Sequence, residues 1–212
     1  MDDPRIGQIL SDRWISFPRS EAVLRLLHEL LLAPRQTRMP GVLIHGASGI
    51  GKTMIARKLR RDFRPTFDAA QGRSHTPLLL LQAPPAPDER RFYLHILDAV
   101  GAPTVGARTI ADLELRTLRV IRALDLKMLV IDEVHNLLSG SHREQARFLN
   151  VLRYLSNDLE VALVCFGVSE AVEALRGDTQ LHRRLDDHHL PYWTDDAEVT
   201  ELIRSLSAAM PL

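Results

Sequence analysis

The segment GASGIGKT, from Gly46 to Thr53, constrains the fold of this chain more than any other feature. It satisfies the pattern G-x-x-x-x-G-K-[ST] and lies between an apolar run, GVLIHG, and an amphipathic segment. Glycines let the backbone curl so that successive N–H groups face a phosphate, and the N-terminus of the following helix adds a favourable dipole. The pattern therefore predicts a strand, a phosphate-binding loop and a helix, in that order.

The loop predicts a nucleotide site with specific contacts. Lys52 would bridge the β- and γ-phosphates, and the hydroxyl of Thr53 would bind Mg²⁺. ATP and Mg²⁺ are therefore the expected cofactors. An ordinary glycine-rich turn is the alternative, which the flanking strand and helix disfavour. The predicted nucleotide-binding residues of the loop are Gly46, Ala47, Ser48, Gly49, Ile50, Gly51, Lys52, Thr53 and Met54.

A second segment, MLVIDE, predicts the other half of the nucleotide site. Its apolar residues indicate a buried strand, and Asp132 follows at the carboxyl end, where open α/β sheets place their ligands. Asp132 would hold Mg²⁺, and Glu133 would activate the attacking water as a general base. The alternative is a strand end with two solvated carboxylates. Because a phosphate loop is also present, we favour ATP hydrolysis.

Apolar runs alternate with amphipathic segments along the chain, which predicts a doubly wound α/β sheet. Strands are predicted at residues 41–46, 77–82, 127–132, 161–167 and 187–192. Helices are predicted at residues 20–34 with Ser20 as the cap, and at 53–63, 89–100, 109–124 and 141–156. The expected organisation is an N-terminal segment and helix (1–40), an ATPase core (41–194) and the beginning of an incomplete helical lid (195–212).

Composition restricts the class of protein. The chain has 212 residues, with 27 basic and 27 acidic side chains, so net charge gives no argument for a nucleic-acid partner. The single cysteine, Cys165, lies in an apolar run, which excludes a disulfide framework and favours a cytoplasmic setting. The start of the chain is acidic and polar rather than a secretory signal. No apolar stretch approaches the roughly 20 residues of a bilayer span, so no membrane partner is expected.

The two motifs together favour the AAA+ class of P-loop NTPases, with a five-stranded parallel sheet sandwiched by helices. The GTPase pattern N-K-x-D is lacking, and no D-x-x-G begins at Asp132, the end of the MLVID strand. PLLLLQ supplies the strand that AAA+ proteins insert between the two motifs. Such proteins place a polar sensor after the fourth strand, for which Ser169 is the candidate. They also place an arginine before the fifth strand, here Arg183 or Arg184, with Arg184 preferred because it directly precedes Leu185. The alternatives are a capping serine and exposed helix-end arginines.

Four longer segments carry a more specific resemblance. They are DRWISFPRSEAVLRLLHELL, RMPGVLIHGASGIGKTMIARKL, VIDEVHNLLSGSHREQARFLNVLRYLSND and LHRRLDDHHLPYW. The chain resembles the TniB/TnsC family of ATPases that regulate DNA transposition. The resemblance implies ATP-driven assembly into a ring or filament on duplex DNA, without strong sequence preference, in the bacterial cytoplasm and on the nucleoid. That assembly would link a target-selection protein to a transposase, with hydrolysis promoting disassembly. Val168 departs from the family pattern, which commonly has threonine there.

Further residues are predicted to contact DNA or the adenine base. The candidates for a basic stripe along DNA phosphates are Arg90, Arg91, Arg108, Arg116, Arg119 and Arg122. A solvated helix face is the alternative. Trp14 and Phe17 are candidates for flanking adenine, with core packing as the alternative. A group of histidines matches no zinc-binding pattern: His135, His142, His182, His188 and His189.

Two other functions stay open from the sequence. The first is another AAA+ ATPase, either secretion-associated or of the replication-initiator type. The second is a nucleotide-gated adaptor that binds ATP and scaffolds partners with little turnover.

Overall fold

A computed structural model describes residues 14–194 and 197–209 of the chain. The first part of the predicted N-terminal segment, the first two residues of the predicted lid and its last three lie outside the described residues. The strands are β1 (Gly41–Gly46), β2 (Thr66–Asp68), β3 (Arg73–His75), β4 (Leu78–Gln82), β5 (Met128–Asp132), β6 (Ala162–Gly167) and β7 (Leu185–Leu190). The helices are α1 (Pro18–Leu32), α2 (Lys52–Asp62), α3 (Glu89–Ala99), α4 (Ile110–Ala123), α5 (His142–Leu159), α6 (Ala171–Arg176), α7 (Thr179–His182) and α8 (Ala197–Ala209), with a 3-10 helix at Val134–Ser139.

The central sheet has the strand order β4-β5-β6-β1-β7, and every neighbouring pair is parallel. Parallel strands require crossover connections, and helices supply them here. The carboxyl ends of β1 and β5 consequently lie at the same edge of the sheet, as the strand register requires. The predicted five-stranded parallel sheet sandwiched by helices is confirmed.

Alternate residues of each strand supply two apolar layers, one on each face of the sheet. On one face, Val42 and Ile44 pack in a single cluster with Leu27 of α1 and Ile55 of α2. On the other face, Leu43 belongs to a cluster with Phe148 and further residues of α3, α4 and α5. Because side chains alternate along a strand, fully buried strands such as β1 can serve both layers. Helix α1 therefore belongs to the same packed core as the sheet.

Helix α1 begins earlier than the sequence predicted. Its N-cap is Phe17, and Pro18 occupies the first turn, where the missing N–H of proline costs no hydrogen bond. Ser20 lies inside the first turn, where its hydroxyl accepts from the Phe17 N–H at 3.1 Å and donates to the Phe17 carbonyl at 2.7 Å. The prediction that Ser20 is the cap was wrong, although its side chain does bond the chain that enters the helix.

Two further boundaries differ from the predictions. Strand β7 covers Leu185–Leu190 rather than 187–192, and the next residue, Pro191, has no N–H to donate to a strand ladder. Helix α5 continues past the predicted end at 156 to Leu159, and Glu160 then leaves it in the left-handed region, with φ of 51°.

A short β-hairpin between α2 and β4 was not predicted. Strands β2 and β3 pair antiparallel in a sheet of their own, separate from the central sheet. The carboxylate of Asp68 accepts the backbone N–H groups of Ala70 and Gln71, at 2.9 and 3.1 Å, which closes the turn. Strands of three residues are too short to show a periodic apolar pattern.

The helices offer no membrane-spanning segment in the part of the chain that the structure describes: none of them is both long enough and apolar enough to cross a bilayer.

Candidate functional site

The phosphate loop connects β1 to α2 at the carboxyl edge of the sheet. A Cβ at Gly46 would lie 2.3 Å from the carbonyl oxygen of Leu190, so no side chain fits there. Gly51 has φ of 97°, a conformation that glycine adopts without strain, and it caps α2. Ile50 is buried in the core between these glycines and anchors the loop. The glycines therefore have the structural roles that the motif predicts.

Lys52 is buried inside the loop that it belongs to. Its ammonium donates hydrogen bonds to the carbonyl oxygens of Gly46 at 2.8 Å and Ala47 at 2.6 Å. Burial lowers the pKa of Lys52 below its ordinary value, and the carboxylates of Glu133 and Asp132 partly oppose that shift. A desolvated cation beside such a loop is well placed to bind an anion, because the anion would compensate its lost hydration.

Thr53 and Asp132 meet as the two motifs predict. The Thr53 hydroxyl donates to Oδ2 of Asp132 at 2.8 Å, and the other carboxylate oxygen accepts the N–H of Glu133 at 2.9 Å. Asp132 is 7% exposed. A hydroxyl oxygen beside a buried carboxylate is the type of oxygen ligand set that Mg²⁺ prefers. These residues therefore fit the predicted metal ion, with Thr53 and Asp132 as its protein ligands.

Glu133 has a strained backbone next to that pair. Its φ of 58° and ψ of 36° lie in the left-handed region, which costs a residue with a side chain free energy. Oε2 of Glu133 lies 3.2 Å from Nε2 of His135, the second residue of the 3-10 helix. The other ring nitrogen of His135 is buried and has no hydrogen-bond partner among the described residues. The sequence analysis considered His135 only within a group of histidines that matches no zinc-binding pattern, so its contact with Glu133 was missed.

A cavity of about 340 Å³ lies in front of the loop. It is lined by Ser48, Gly49, Gly51, Lys52, Thr53, Met54, Glu133, His135 and Val168. Ser169, the predicted sensor, is exposed and does not line this cavity, whereas its neighbour Val168 does. The sensor role of Ser169 stays a prediction.

The two arginines before β7 differ in their surroundings. The guanidinium of Arg184 donates to the side chain of Asn157 in α5, and its carbonyl oxygen accepts the N–H of Gly41 at 2.9 Å. Arg183 is exposed, and its side chain has no ion pair or hydrogen bond with any residue in the described ranges. Arg184 is thus bound to its own chain, whereas Arg183 is not.

Aromatic residues lie beside the loop. The ring centroids of Phe17 and Trp193 are 5.0 Å apart. A Cβ built on Gly51 would lie 3.8 Å from Cζ of Phe17. The guanidinium of Arg19 stacks over Trp193 at 5.0 Å and bonds the carboxylate of Glu198 in α8. Phe17 therefore lies beside the phosphate loop, and its role in flanking adenine stays a prediction. The sequence did not identify Arg19 and Trp193, because neither belongs to a local motif.

The six arginines of the predicted DNA stripe divide into two groups. Three of them bond their own chain: Arg90 bonds the carbonyl of Arg108, Arg116 bonds two loop carbonyls, and Arg122 pairs with Asp158. The side chains of Arg91, Arg108 and Arg119 are exposed, with no hydrogen bond or ion pair to the described part of the chain. The structure does not test whether any of the six binds DNA.

Three features meet at the carboxyl edge of this sheet: the phosphate loop, the Thr53–Asp132 hydrogen bond and the adjacent Glu133. Together they define a P-loop NTPase of the AAA+ type. Solved structures with the same fold include Orc1 of Aeropyrum pernix in complex with DNA, at a TM-score of 0.66 and 19% identity over 95% of this chain and 52% of that one. Cdc6p of Pyrobaculum aerophilum has a TM-score of 0.65 and 17% identity, over 96% of this chain and 53% of that one. AMPPCP-bound DnaA of Aquifex aeolicus has a TM-score of 0.56 and 16% identity, over 94% of this chain and 55% of that one.

This chain spans about half the length of those structures. A search of curated proteins found no match. The model of the bacterial TniB protein family matches residues 5–195, which is most of the chain. The chain therefore belongs to the TniB family, as the sequence resemblance predicted.

Proposed function

We propose that this chain is the ATPase core of a regulator of DNA transposition, which uses bound ATP to assemble on duplex DNA. The observation that carries the proposal is the hydrogen bond between Thr53 and Asp132, 2.8 Å long, because it joins the two motifs into one site for Mg·ATP. Membership of the TniB family supports the transposition context. The DNA complex of Orc1 and the AMPPCP complex of DnaA support DNA and ATP as partners.

Within the proposed site, each residue has a separate role. The ammonium of Lys52 exchanges its bonds to the loop carbonyls for bonds to the β- and γ-phosphates. Thr53 and Asp132 would hold Mg²⁺, which would neutralise phosphate charge when bound. Glu133 accepts a proton from the attacking water.

His135 would restrain Glu133 before that step. The contact of 3.2 Å between Nε2 of His135 and the Glu133 carboxylate would keep the carboxylate on one side of the cavity. Release of that contact, when nucleotide fills the cavity, would free Glu133 to bind water. The restraint concerns the orientation of the base rather than the binding of nucleotide.

The arginine that acts on a neighbouring subunit is better assigned to Arg183 than to Arg184. A guanidinium that reaches into another subunit has to be exposed and unbonded in its own chain. Arg183 is exposed, and its side chain bonds none of the residues that the structure describes. Arg184 is bonded to Asn157 of its own chain. In the assembly, Arg183 would neutralise charge that develops on the γ-phosphate of the adjacent subunit. Hydrolysis would then depend on assembly and would promote disassembly.

The proposal is tested by mixing the protein with a non-hydrolysable ATP analogue and with duplex DNA of varied sequence. We expect oligomers, seen by size-exclusion chromatography and negative-stain imaging, only when both ligands are present. Lys52→Ala removes the charge-assisted contacts to phosphate and should weaken nucleotide affinity by about 100-fold. A protein that stays monomeric on DNA would contradict the proposal, and binding confined to one origin-like sequence would favour an initiator-type ATPase.

A further inference from the structure

The segment from Arg57 to His75 is strongly basic, although the formal charge of the whole chain is zero. It contains six lysine and arginine residues against two aspartates, a net formal charge of +4. Both aspartates are engaged within the segment: Asp62 pairs with Lys58, and Asp68 accepts the backbone N–H groups of the hairpin turn. Among the described residues, the two aspartates of the segment therefore do not neutralise Arg60, Arg61, Arg64 or Arg73.

Four of these arginines have exposed side chains that make no hydrogen bond or ion pair within residues 14–194 and 197–209. They are Arg60 and Arg61 at the end of α2, Arg64 in the connection, and Arg73 in β3. Arg60 and Arg61 also line a cleft of about 460 Å³ between α2 and the edge strand β4. Within the described part of the chain these four cations have no partner, in contrast to Arg116 and Arg122, whose guanidinium groups bond their own chain.

Both faces of the hairpin are mainly exposed, and only Asp68 and His75 are half-buried. One face carries Thr66 and His75 with Asp68 and Arg73, and the other carries Phe67 opposite Ser74. Phe67 is 67% exposed, which is unusual for a large aromatic side chain. An isolated two-stranded hairpin is marginally stable at best, and the nearest ion pair to the rest of the chain, His75 with Asp125, is long at 3.9 Å. Packing within the chain does not account for the exposed ring or for the basic charge.

We propose that Arg60, Arg61, Arg64, Phe67 and Arg73, called here the hairpin surface, bind the duplex DNA on which the protein assembles. The proposal rests on the proposed function and names the contact residues. Guanidinium groups bind phosphate oxygens in a bidentate way, and four of them on consecutive parts of the chain suit a row of backbone phosphates. A two-stranded ribbon is narrow enough to enter the major groove, where the Phe67 ring could contact thymine methyl groups. An acidic protein segment would neutralise the arginines but would not require a ribbon that is mainly exposed on both faces.

The first test measures binding of the full chain to a fluorescent duplex of mixed sequence, with a non-hydrolysable ATP analogue, over a range of salt concentrations. The variant Arg64→Gln/Arg73→Gln should bind about tenfold more weakly, and the slope of log affinity against log salt should fall by about 2, since two phosphate contacts are lost. The matched control is Arg143→Gln/Arg147→Gln, which removes the same charge from the exposed start of α5. Nucleotide affinity verifies that both variants are folded.

Three outcomes are distinguishable. A weaker affinity and smaller slope for the hairpin variant alone supports the proposal. Equal losses in both variants, or no loss in either, would show that DNA contacts lie elsewhere and would overturn the hairpin surface while leaving the proposed function intact. If the unmodified protein binds no duplex at low salt, the proposed function itself fails. In that case, an acidic polypeptide that binds the unmodified protein and the control variant but not the hairpin variant would identify a protein partner for the hairpin surface.

A second measurement does not depend on removing charge. The only cysteine, Cys165, is fully buried, so a cysteine introduced at the surface can be labelled selectively. A photo-crosslinker on Gln71→Cys, at the hairpin turn, should crosslink to the duplex, whereas one on Ala146→Cys in α5 should not. Absence of crosslinks from position 71, under conditions where the protein is fully bound to DNA, would overturn the proposal.

Discussion

The charged groups at the nucleotide site have hydrogen-bond partners within the described part of the chain, whereas several arginines on the surface have none. At the site, Lys52 bonds two carbonyl oxygens, and the carboxylate of Asp132 accepts both the Thr53 hydroxyl and the Glu133 N–H. On the surfaces, Arg183 and Arg73 have no partner in the described part of the chain. Groups of the first kind have preformed positions for a small ligand. Groups of the second kind gain partners only when another molecule binds, so their substitution should affect assembly rather than folding.

The largest effect is expected from Arg183→Ala. An arginine supplied to a neighbouring active site is worth about 1,000-fold in hydrolysis rate, because it neutralises transition-state charge. The ATPase rate of the DNA-bound assembly should fall by about that factor, while the rate of the dispersed protein and its nucleotide affinity stay unchanged. If Arg184→Ala abolishes the assembled rate in a folded protein and Arg183→Ala does not, the assignment is reversed and the preference from the sequence is correct.

Glu133→Gln is expected to lower the steady-state ATPase rate by about 100-fold or more, because a general base contributes at least that factor. ATP affinity should be retained, and assemblies on DNA should persist longer, since hydrolysis promotes their disassembly. Equal rates for the variant and the unmodified protein would favour a nucleotide-gated adaptor, in which Glu133 is not a catalytic base.

His135→Ala should change the rate by about tenfold through the orientation of Glu133, with little effect on ATP affinity. The conservative variant His135→Gln, which retains a side-chain N–H, should restore most of the unmodified rate. His142→Ala, an exposed residue at the start of α5, is the control. A change in ATP affinity as large as the change in rate would indicate that His135 supports the cavity rather than the base.

The smallest effect is expected from Arg184→Ala. Loss of the bond to Asn157 should lower the free energy of unfolding by about 1 kcal/mol, since the backbone bond to Gly41 remains. Denaturant unfolding of Arg184→Ala beside Arg183→Ala measures the difference, and the latter should be unchanged within experimental error. Equal stabilities of the two variants would remove the distinction between the bonded and the unbonded arginine.

The sequence predicted those features whose chemistry is local. The glycine positions, Lys52 and Thr53 follow from one loop, and Asp132 follows from the carboxyl end of one apolar strand. Because a sheet brings strand ends together, the hydrogen bond between Thr53 and Asp132 was foreseeable without coordinates.

The features that the sequence did not predict depend on distant residues or on very short elements. Arg19 and Glu198 bond each other across the length of the chain, and no spacing rule connects them. The hairpin has strands of three residues, below the length at which periodicity is informative. Ser20 resembled a cap, but Pro18 could start the helix earlier because proline suits a first turn.

The positions of the two tryptophans provide an intrinsic optical probe of the nucleotide site. The chain contains Trp14 and Trp193 and no other tryptophan. Trp193 contacts Phe17 beside the phosphate loop, and Trp14 packs against the core cluster that includes Ile50 of that loop. Fluorescence of the unlabelled protein should therefore report nucleotide binding, free of signal from distant tryptophans. Phe17→Leu, which removes the ring between the loop and Trp193, should diminish that change in emission.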